Sequence, residues 1–293
     1  MKVLVTGGSG FIGRNIKESY LSQKYTIVAP TRAELDVTSD ESIEAYFKKH
    51  SFDVLIHSAA KPGHRNAADH SNLLLTNARM IFNLLKYQNS FGKFINMGSG
   101  AIYDLLHYRP KMKEDYFGTY IPKDDHGFNK YILGKVMPTL HNVYDFRIFG
   151  IYGRYEDYAI RFISNAICKA IFDLPITLRQ NRKFDYLYID DLMPVLEHFI
   201  DHDPVQRSFN ITPNHSEELL GIAHMVNRVA GNKVEVRVAQ EGLGMEYSGD
   251  NTLLHSEIKN LRFTPLEKGI EQLYNWYLKN KGSLDRQLLI TDK

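Results

Sequence analysis

A tyrosine and a lysine that could share a proton-transfer step lie four positions apart, at Tyr131 and Lys135. Residues with this spacing lie on the same face of a helix. A phenol, with a pKa of about 10, is a poor base at neutral pH, but a nearby ammonium group favours the phenolate. The pair could therefore exchange a proton with a substrate oxygen. The spacing alone is common by chance and also fits a purely structural role.

A serine in a glycine-rich turn is the natural partner of this pair. Ser99 follows residues 93–97, which are typical of a buried strand. Open α/β sheets bind ligands outside the carboxyl ends of their strands. We therefore expect Ser99 to hydrogen-bond a substrate carbonyl and the Tyr131 hydroxyl. The alternative is a turn serine bonded to nearby backbone.

A second glycine-rich turn lies at the amino terminus, where residues 6–13 read Thr-Gly-Gly-Ser-Gly-Phe-Ile-Gly. It follows a predicted strand at 2–6 and opens a predicted helix at 11–23. Gly7, Gly10 and Gly13 permit a tight turn and a close backbone approach to pyrophosphate. The helix start adds unpaired N–H groups and a partial positive charge. This context predicts a dinucleotide site.

The segment after the second predicted strand, 25–29, favours NADP over NAD. NAD-binding proteins usually place a carboxylate there for the ribose 2′-OH, but this chain has none before Glu34. Arg32 stands where a 2′-phosphate would lie, and Arg14 is placed to assist, since guanidinium groups match phosphate. The alternative is that both arginines are solvated surface charges.

Strands and helices alternate through the first half of the chain. This pattern predicts an α/β fold, a Rossmann-type doubly wound parallel sheet, with a smaller C-terminal mixed α/β substrate lobe. We expect residues 1–153, with returning segments near 184–212, to form the NADP-binding domain, and 154–183 and 213–293 to form the substrate-binding lobe. Residues 104–125 read as a long loop. The further predicted strands lie at 53–57, 145–150, 187–189, 208–211 and 233–238, and the further helices at 39–50, 69–89, 127–144, 159–171, 191–202, 217–230 and 265–280.

Composition excludes several classes of function. A net charge of +2 does not predict a nucleic-acid partner. The lone Cys168 cannot form an internal disulfide, which indicates a reducing compartment, and we expect it to be buried. The chain has neither an apolar run long enough to span a membrane nor a signal-peptide pattern, so a cytoplasmic location is expected. No histidine or cysteine spacing predicts a metal site.

Taken together, these motifs resemble the extended short-chain dehydrogenase/reductases, in the NAD-dependent epimerase/dehydratase family that modifies nucleotide sugars. The matching segments run along nearly the whole chain: 6–13, Asp36-Val37, 57–60, 97–103, Tyr131 with Lys135, 147–153 and 184–191.

The resemblance implies roles for individual residues. Ser99, Tyr131 and Lys135 would be catalytic. The expected cofactor-binding residues are Gly7, Gly10, Phe11, Ile12, Gly13, Arg14, Arg32, Asp36, Val37, Ala59, Ala60, Lys61 and Lys135. Asn77 would support the site, with a capping or surface role as the alternative. Diphosphate contacts would come from Asn165, Arg179, Arg182 and Lys183, for which a solvated loop is the alternative. Members of the family often form homodimers through the helices at 69–89 and around Tyr131.

Residues 32–38 resemble the sugar 4-ketoreductases of that family. The leading hypothesis is therefore NADP-dependent reduction of a 4-keto nucleotide sugar, with Tyr131 as the acid. A 4-epimerase with bound NAD and a non-catalytic dinucleotide sensor remain as alternatives. Ala101 replaces a cysteine of ketoreductases that also epimerise, and Phe184 replaces a frequent diphosphate-binding arginine. Glu114-Asp115, the only acidic pair near the site that a dehydratase could use, is expected at the surface.

Overall fold

The computed structural model describes residues 1–63, 69, 71–213 and 215–290. Its strands are β1 (Lys2–Thr6), β2 (Thr26–Val28), β3 (Phe52–His57), β4 (Phe91–Met97), β5 (Val143–Ile148), β6 (Gly150–Tyr152), β7 (Ile176–Asn181), β8 (Lys183–Tyr188), β9 (Ser208–Ile211), β10 (Ser216–Glu218) and β11 (Val236–Leu243). Its helices are α1 (Phe11–Glu18), α2 (Leu21–Lys24), α3 (Asp40–Phe47), α4 (Leu73–Lys86), α5 (Asp125–Val136), α6 (Phe162–Ile171), α7 (Leu192–Asp201), α8 (Leu219–Val229), α9 (Thr252–Glu257), α10 (Leu266–Lys279) and α11 (Gln287–Ile290).

A six-stranded parallel sheet with the order β2-β1-β3-β4-β5-β9 forms the centre of the fold. Side chains alternate between its two faces. Val5, Ile56 and Ile95 pack on one face in a core that extends to α1 and α7. The opposite face carries Leu4, Leu55, Phe94 and Val143, which pack with apolar side chains of α3, α4 and α5. The predicted doubly wound sheet is therefore confirmed.

The side chains on the second face change from apolar to polar toward the carboxyl ends of its strands. Two residues beyond the apolar side chains lie Thr6, His57, Asn96 and Asp145, all at most 3% exposed. We call these four residues the polar row. Thr6 Oγ1 lies 2.8 Å from His57 Nδ1, and Asn96 Nδ2 donates to Asp145 Oδ1 at 2.7 Å. The row marks the depth at which the apolar core ends and the ligand-binding edge of the sheet begins.

Local signals explain where several helices begin and end. Ser39 caps α3 by accepting the Ser42 N–H at 3.2 Å, at the start of the predicted helix 39–50. The predicted helix at 11–23 is instead divided, because the Ser19 hydroxyl donates to the Ile16 carbonyl at 2.8 Å where α1 ends. Helix α5 is shorter than its predicted range of 127–144, since Pro138 lies in a 3-10 turn that follows Val136.

The second half of the chain adds two small sheets, β10-β8-β6 and β11-β7, beside α6, α8 and α10. Sequence patterns did not predict β6, β7, β10, α9 or α11. Helices α6, α8 and α10 share the first core cluster with the main sheet, through Ile167, Ile222 and Leu273. No described helix has the length and apolarity needed to cross a membrane.

A buried lysine joins the two halves of the chain. Lys93, on the central strand β4, is 7% exposed. Its ammonium donates to the carbonyls of Phe199 at 2.6 Å, Ile200 at 3.2 Å and His202 at 2.5 Å, at the carboxyl end of α7. A cation at this end of a helix satisfies carbonyl groups that have no partner within the helix.

Candidate functional site

The amino-terminal glycine turn leaves its backbone open to a ligand. Gly7 has φ +72°, and a Cβ there would lie 2.7 Å from Ala59 N, so only glycine fits. A Cβ on Gly13 would overlap the Gly7 carbonyl. Because glycine has no Cβ, α1 can approach the turn closely. Gly10 occupies the N-cap of α1, and no side chain caps the helix. The helix start therefore presents amide groups that suit a phosphate.

This turn opens into a cleft of about 820 Å³. The predicted cofactor residues that line it are Gly7, Gly10, Phe11, Arg32, Asp36, Val37, Ala59, Ala60 and Lys61. Thr76, Arg79 and Met80 of α4 complete the wall and were not predicted. The glycine turn, the uncapped helix start and these charged side chains together fit a dinucleotide.

Two arginines, Arg32 and Arg79, line the cleft. Arg32 was predicted there, whereas Arg79 takes the place expected for Arg14. Arg32 is largely exposed and pairs with Asp36, with Nε 3.1 Å from Oδ2. Arg79 joins it from α4. Arg14 is absent from the lining: it pairs with Glu18 at 3.0 Å, and its guanidinium lies 3.7 Å from the Tyr155 ring centroid. Its position on α1 directs the side chain to this neighbour. Ile12 is also absent from the lining and packs against the first core cluster.

Asn77 positions the segment that follows β3. Its Oδ1 accepts the Lys61 N–H at 2.8 Å, and its Nδ2 donates to the Lys61 carbonyl at 3.1 Å. The Lys61 ammonium lies 2.5 Å from Asp69 Oδ2 and 2.6 Å from the Ser71 carbonyl. Asn77 thus fixes the backbone of a cleft-lining segment from α4.

The turn after β4 places Ser99 beside a tyrosine that sequence analysis missed. Ser99 Oγ accepts the Ala101 N–H at 3.1 Å, and its hydroxyl also interacts with the hydroxyl of Tyr247. Tyr247 lies against this turn: its hydroxyl would be 2.9 Å from a Cβ on Gly100. Burial raises the pKa of Tyr247 to about 12, against the opposing effect of the Tyr108 and Ser99 hydroxyls. Tyr247 is distant in sequence and belongs to no motif, so nothing in the sequence indicates it.

Tyr131 and Lys135 lie on one side of α5, as predicted, but that side faces a loop. The Tyr131 ring is 5.2 Å from the ring of Phe117. Lys135 is exposed, with Nζ 5.0 Å from the Phe117 centroid and 5.3 Å from that of Tyr131. Among the described residues, no hydrogen bond joins Tyr131 to Ser99. The predicted contact is thus not formed, because Tyr131 packs toward Phe117.

A different lysine of α5 reaches the end of β4. Lys130 Nζ donates to the Met97 carbonyl at 3.4 Å. Burial lowers the pKa of Lys130, and Asp145 opposes this effect. Burial, and then the Lys130 charge, lower the pKa of His57 to about 3, so His57 is neutral at physiological pH. The ammonium of Lys130 therefore lies next to the polar row.

His126 lies one helical turn before Lys130, and sequence analysis passed over both residues. Its side chain is accessible to solvent. Burial, followed by the charges of Lys130 and Arg161, lowers the pKa of His126, while Asp124 raises it. His126 thus has charges of both signs near it, the cations Lys130 and Arg161 and the carboxylate of Asp124.

The predicted substrate residues do not form one cluster of contacts. Asn165 Nδ2 donates to the Tyr158 and Ala159 carbonyls, at 3.0 and 3.3 Å, and so holds the loop before α6. Arg179 is exposed on β7, and Lys183 begins β8, where it lies opposite Glu218 in the antiparallel register with β10.

Arg182 is connected to the Ser99 turn through aromatic side chains. Its guanidinium lies 6.0 Å from the Phe184 centroid. The Phe184 ring is 5.3 Å from that of Tyr247, which adjoins the Ser99 turn. Among the four candidates, Arg182 is therefore the one whose side chain is linked to the Ser99 turn through ring contacts.

Other predictions have clear outcomes. Cys168 is buried, as expected. The surface position expected for Glu114 is wrong: the side chain is partly buried, and its Oε1 accepts the Asn210 N–H at 2.8 Å. Burial raises the pKa of Glu114, against the effect of that hydrogen bond. In the part of the chain that the structure describes, no group of His, Cys, Asp and Glu side chains could hold a metal ion.

Comparisons with known proteins agree with this geometry. Residues 3–212 match the model of the NAD dependent epimerase/dehydratase family. A GDP-L-fucose synthase from Azorhizobium caulinodans is 34% identical over 106 residues, which are 35% of this chain and 34% of that relative. The aligned segment thus spans about one third of the relative's own length.

Two solved structures share the fold. The chain is similar to a GDP-L-fucose synthetase from Naegleria fowleri bound to NADP, with a TM-score of 0.83, 14% identity, and coverage of 96% of this chain and 94% of that chain. It is also similar to a GDP-mannoheptose C4 reductase from Campylobacter jejuni with NADP bound, with a TM-score of 0.80, 19% identity, and coverage of 94% and 98%.

Proposed function

Because the chain belongs to the NAD dependent epimerase/dehydratase family, we propose that it reduces the 4-keto group of a nucleotide sugar with NADPH. It is an enzyme of the extended short-chain dehydrogenase/reductase type, a group of nicotinamide-dependent oxidoreductases, epimerases and dehydratases. One observation carries the proposal. The glycine turn, the segment Ala59–Lys61 and the Ser99 turn follow the neighbouring strands β1, β3 and β4 at a single edge of the sheet.

The cofactor would lie along the cleft, with its pyrophosphate at the start of α1. Gly7, Gly10 and Gly13 give its phosphates access to the backbone. Arg32 and Arg79 supply positive charge in the same cleft, which supports NADP rather than NAD. The reduced nicotinamide supplies the hydride. NADP in the two similar structures supports the same choice.

Ser99 would polarise the substrate carbonyl. Its oxygen already accepts one N–H, so the hydroxyl can donate to the carbonyl oxygen without losing that contact. Negative charge develops on this oxygen during reduction, and a fixed donor there stabilises the transition state. A proton must also reach the oxygen, and helix α5, which packs on the Ser99 turn, is the element placed to supply it.

The nucleotide sugar would approach along the aromatic side chains that lead from Arg182 to Ser99. Arg182 is our candidate for the diphosphate, in place of the arginine that Phe184 replaces. Phe184 and Tyr247 offer flat apolar surface between the two ends. Arg179 and Lys183 remain proposed nucleotide contacts on the adjoining strands.

The test is NADPH oxidation against a panel of 4-keto-6-deoxy sugars linked to GDP, dTDP, CDP and UDP. We expect turnover with at least one member, with loss of absorbance at the reduced nicotinamide band and a stoichiometric alcohol product. No turnover on any member would refute the reductase assignment. NADH on the same panel measures the cofactor preference.

An epimerase would give a different result. Protein purified with NAD bound, and sugar interconversion without net NADPH consumption, would replace the reductase with the 4-epimerase. Ala101 cannot move a proton, so it does not supply the step that cysteine performs in ketoreductases that also epimerise. Between the reductase and the 4-epimerase, the two arginines of the cleft favour an exchangeable NADPH and therefore the reductase.

A homodimer is the assembly that we propose. Helices α4 and α5 pack together, and Phe82 on α4 is 40% exposed, so it offers an apolar contact to a second copy of the chain. Light scattering of the purified protein should give twice the chain mass. Phe82→Asp should give the mass of a monomer, and a monomeric wild-type protein would contradict the proposal.

A further inference from the structure

Helix α5 carries two different stripes of side chains. One, which we call the sheet-facing stripe, has the spacing i, i+4, i+7, i+11 that keeps residues on one side of a helix: His126, Lys130, Leu133 and Met137. Leu133 and Met137, which is the first residue after the helix, are 1% and 0% exposed and pack in the core with Phe94 and Val143. The loop-facing stripe contains Tyr131 and Lys135 and contacts Phe117.

Along the sheet-facing stripe, the change from apolar to polar side chains matches the same change on the strands beneath it. Helix α5 connects the parallel strands β4 and β5, so it runs against them and begins at their carboxyl ends. Leu133 and Met137 lie over the apolar part of the face, and Lys130 reaches the Met97 carbonyl beside the polar row. His126 lies four residues before Lys130, about 6 Å along the axis. That distance places it beyond the strands, at the level of the Ser99 turn.

A glycine holds the first turn of α5 against the Ser99 turn. A Cβ on Gly127 would lie 2.8 Å from the Ala101 carbonyl oxygen, so any larger residue would separate the two segments. The Gly127 N–H donates to Asp124 Oδ1 at 2.8 Å, which fixes where the helix starts. His126 immediately precedes this contact and is accessible to solvent.

We propose that His126, rather than Tyr131, exchanges the proton with the carbonyl oxygen at Ser99, and that Lys130 is the positioning residue beneath it. This inference rests on the proposed reductase. During reduction an N–H bond of the imidazolium breaks, and an O–H bond forms on the former carbonyl oxygen as its carbon gains hydride. The imidazole is left neutral and regains a proton from solvent.

The surroundings of His126 suit an acid. Burial is the main cause that lowers its pKa, and the cations Lys130 and Arg161 add to it, against Asp124. An imidazolium with a lowered pKa is a stronger acid, while a smaller fraction of it is protonated at neutral pH. The activity should be constant while His126 is protonated and should fall as pH rises through its pKa, which lies below the ordinary value of 6.5.

The first experiment compares matched substitutions in the two stripes, with the full-length enzyme and the best substrate of the panel. We expect His126→Gln to lower kcat by about 100-fold or more, the usual range for a general acid, without changing NADPH affinity measured by fluorescence. Tyr131→Phe should stay within about threefold of wild type. His141→Gln, an exposed histidine after α5, is the control. A 100-fold loss in Tyr131→Phe with full activity in His126→Gln would overturn the inference.

The pH profile separates a positioning role for Lys130 from a structural one. Lys130→Met removes a cation, so the fall in kcat/KM should move to higher pH, while Lys135→Met should leave it in place. The same contrast is expected in an NMR titration of the His126 ring in protein without cofactor, assigned with His126→Gln. A shift caused by Lys135→Met and not by Lys130→Met would refute the assignment. This titration needs no turnover, so it tests the pair even if the proposed substrate is wrong.

Discussion

The cofactor turn and helix α5 specify their chemistry in different ways. In the turn, the functional groups are backbone amides, and glycines at fixed positions are required because a Cβ would overlap neighbouring backbone. In α5, the functional groups are side chains, and their use depends on which stripe of the helix faces the sheet. Two pairs with the same four-residue spacing, His126–Lys130 and Tyr131–Lys135, occupy one helix. Spacing therefore identifies a backbone site well and a helical side-chain site poorly.

The largest effect is expected in the cofactor turn. Gly13→Ala places a methyl group against the Gly7 carbonyl, which is backbone and cannot move aside. Overpacking of this kind costs about 1–3 kcal/mol and displaces α1 from the turn. We expect NADPH binding, followed by fluorescence, to be lost. Gly282→Ala, where no atom lies within 4 Å, is the matched control and should bind normally. Normal binding by Gly13→Ala would show that the turn is not the phosphate site.

The orientation of α5 can be tested through stability. Leu133→Ala removes a side chain that is 1% exposed, which should lower the free energy of unfolding by about 2–4 kcal/mol. Lys135→Ala, two residues later on the exposed side, should change it by less than about 0.5 kcal/mol. Urea unfolding followed by circular dichroism measures both. Equal losses would contradict the assignment of the sheet-facing stripe.

Ser99 connects the two regions. Ser99→Ala removes the donor to the developing oxyanion, so we expect kcat to fall by about 100-fold while NADPH affinity is retained. Ser51→Ala, at an exposed position before β3, serves as the control. A loss of cofactor affinity with unchanged kcat would place Ser99 in the cofactor site instead.

The smallest effects are expected from side chains at the open end of the cleft. Arg32→Ala and Arg79→Ala should each weaken NADPH binding by about tenfold, the effect of losing one charge-assisted contact of about 1.4 kcal/mol. NADH binding should not change. Arg228→Ala, whose guanidinium pairs with Glu267, is the control. Equal losses for both cofactors would argue against contact with a 2′-phosphate.

The sequence was sufficient for features that depend on local backbone. The glycine turn, the strands of the central sheet and the start of α3 each follow from residues close together in the chain, and the structure places them as expected. The long loop at 104–125 was also anticipated, because Pro110, Gly118 and Pro122 interrupt any period.

Features that depend on packing between distant parts of the chain could not be predicted from the sequence in this way. Arg79 reaches the cleft from α4, and Tyr247 reaches Ser99 from far along the chain. The orientation of α5 did have a signal, since an apolar stripe through Leu133 and Met137 extends back to Lys130 and His126. The Tyr131–Lys135 spacing, without that apolar stripe, indicates the loop-facing side of the helix.

The Lys93 ammonium has a consequence for how the polypeptide can be divided. Its three carbonyl partners all belong to residues 199–202, so a fragment ending near residue 153 would lose these acceptors together with the helix that buries the lysine. The same cut would expose apolar side chains of this sheet face, such as Ile95, that pack in the first core cluster. The amino-terminal half should therefore fail to fold alone and should recover its structure when the missing piece is supplied in trans.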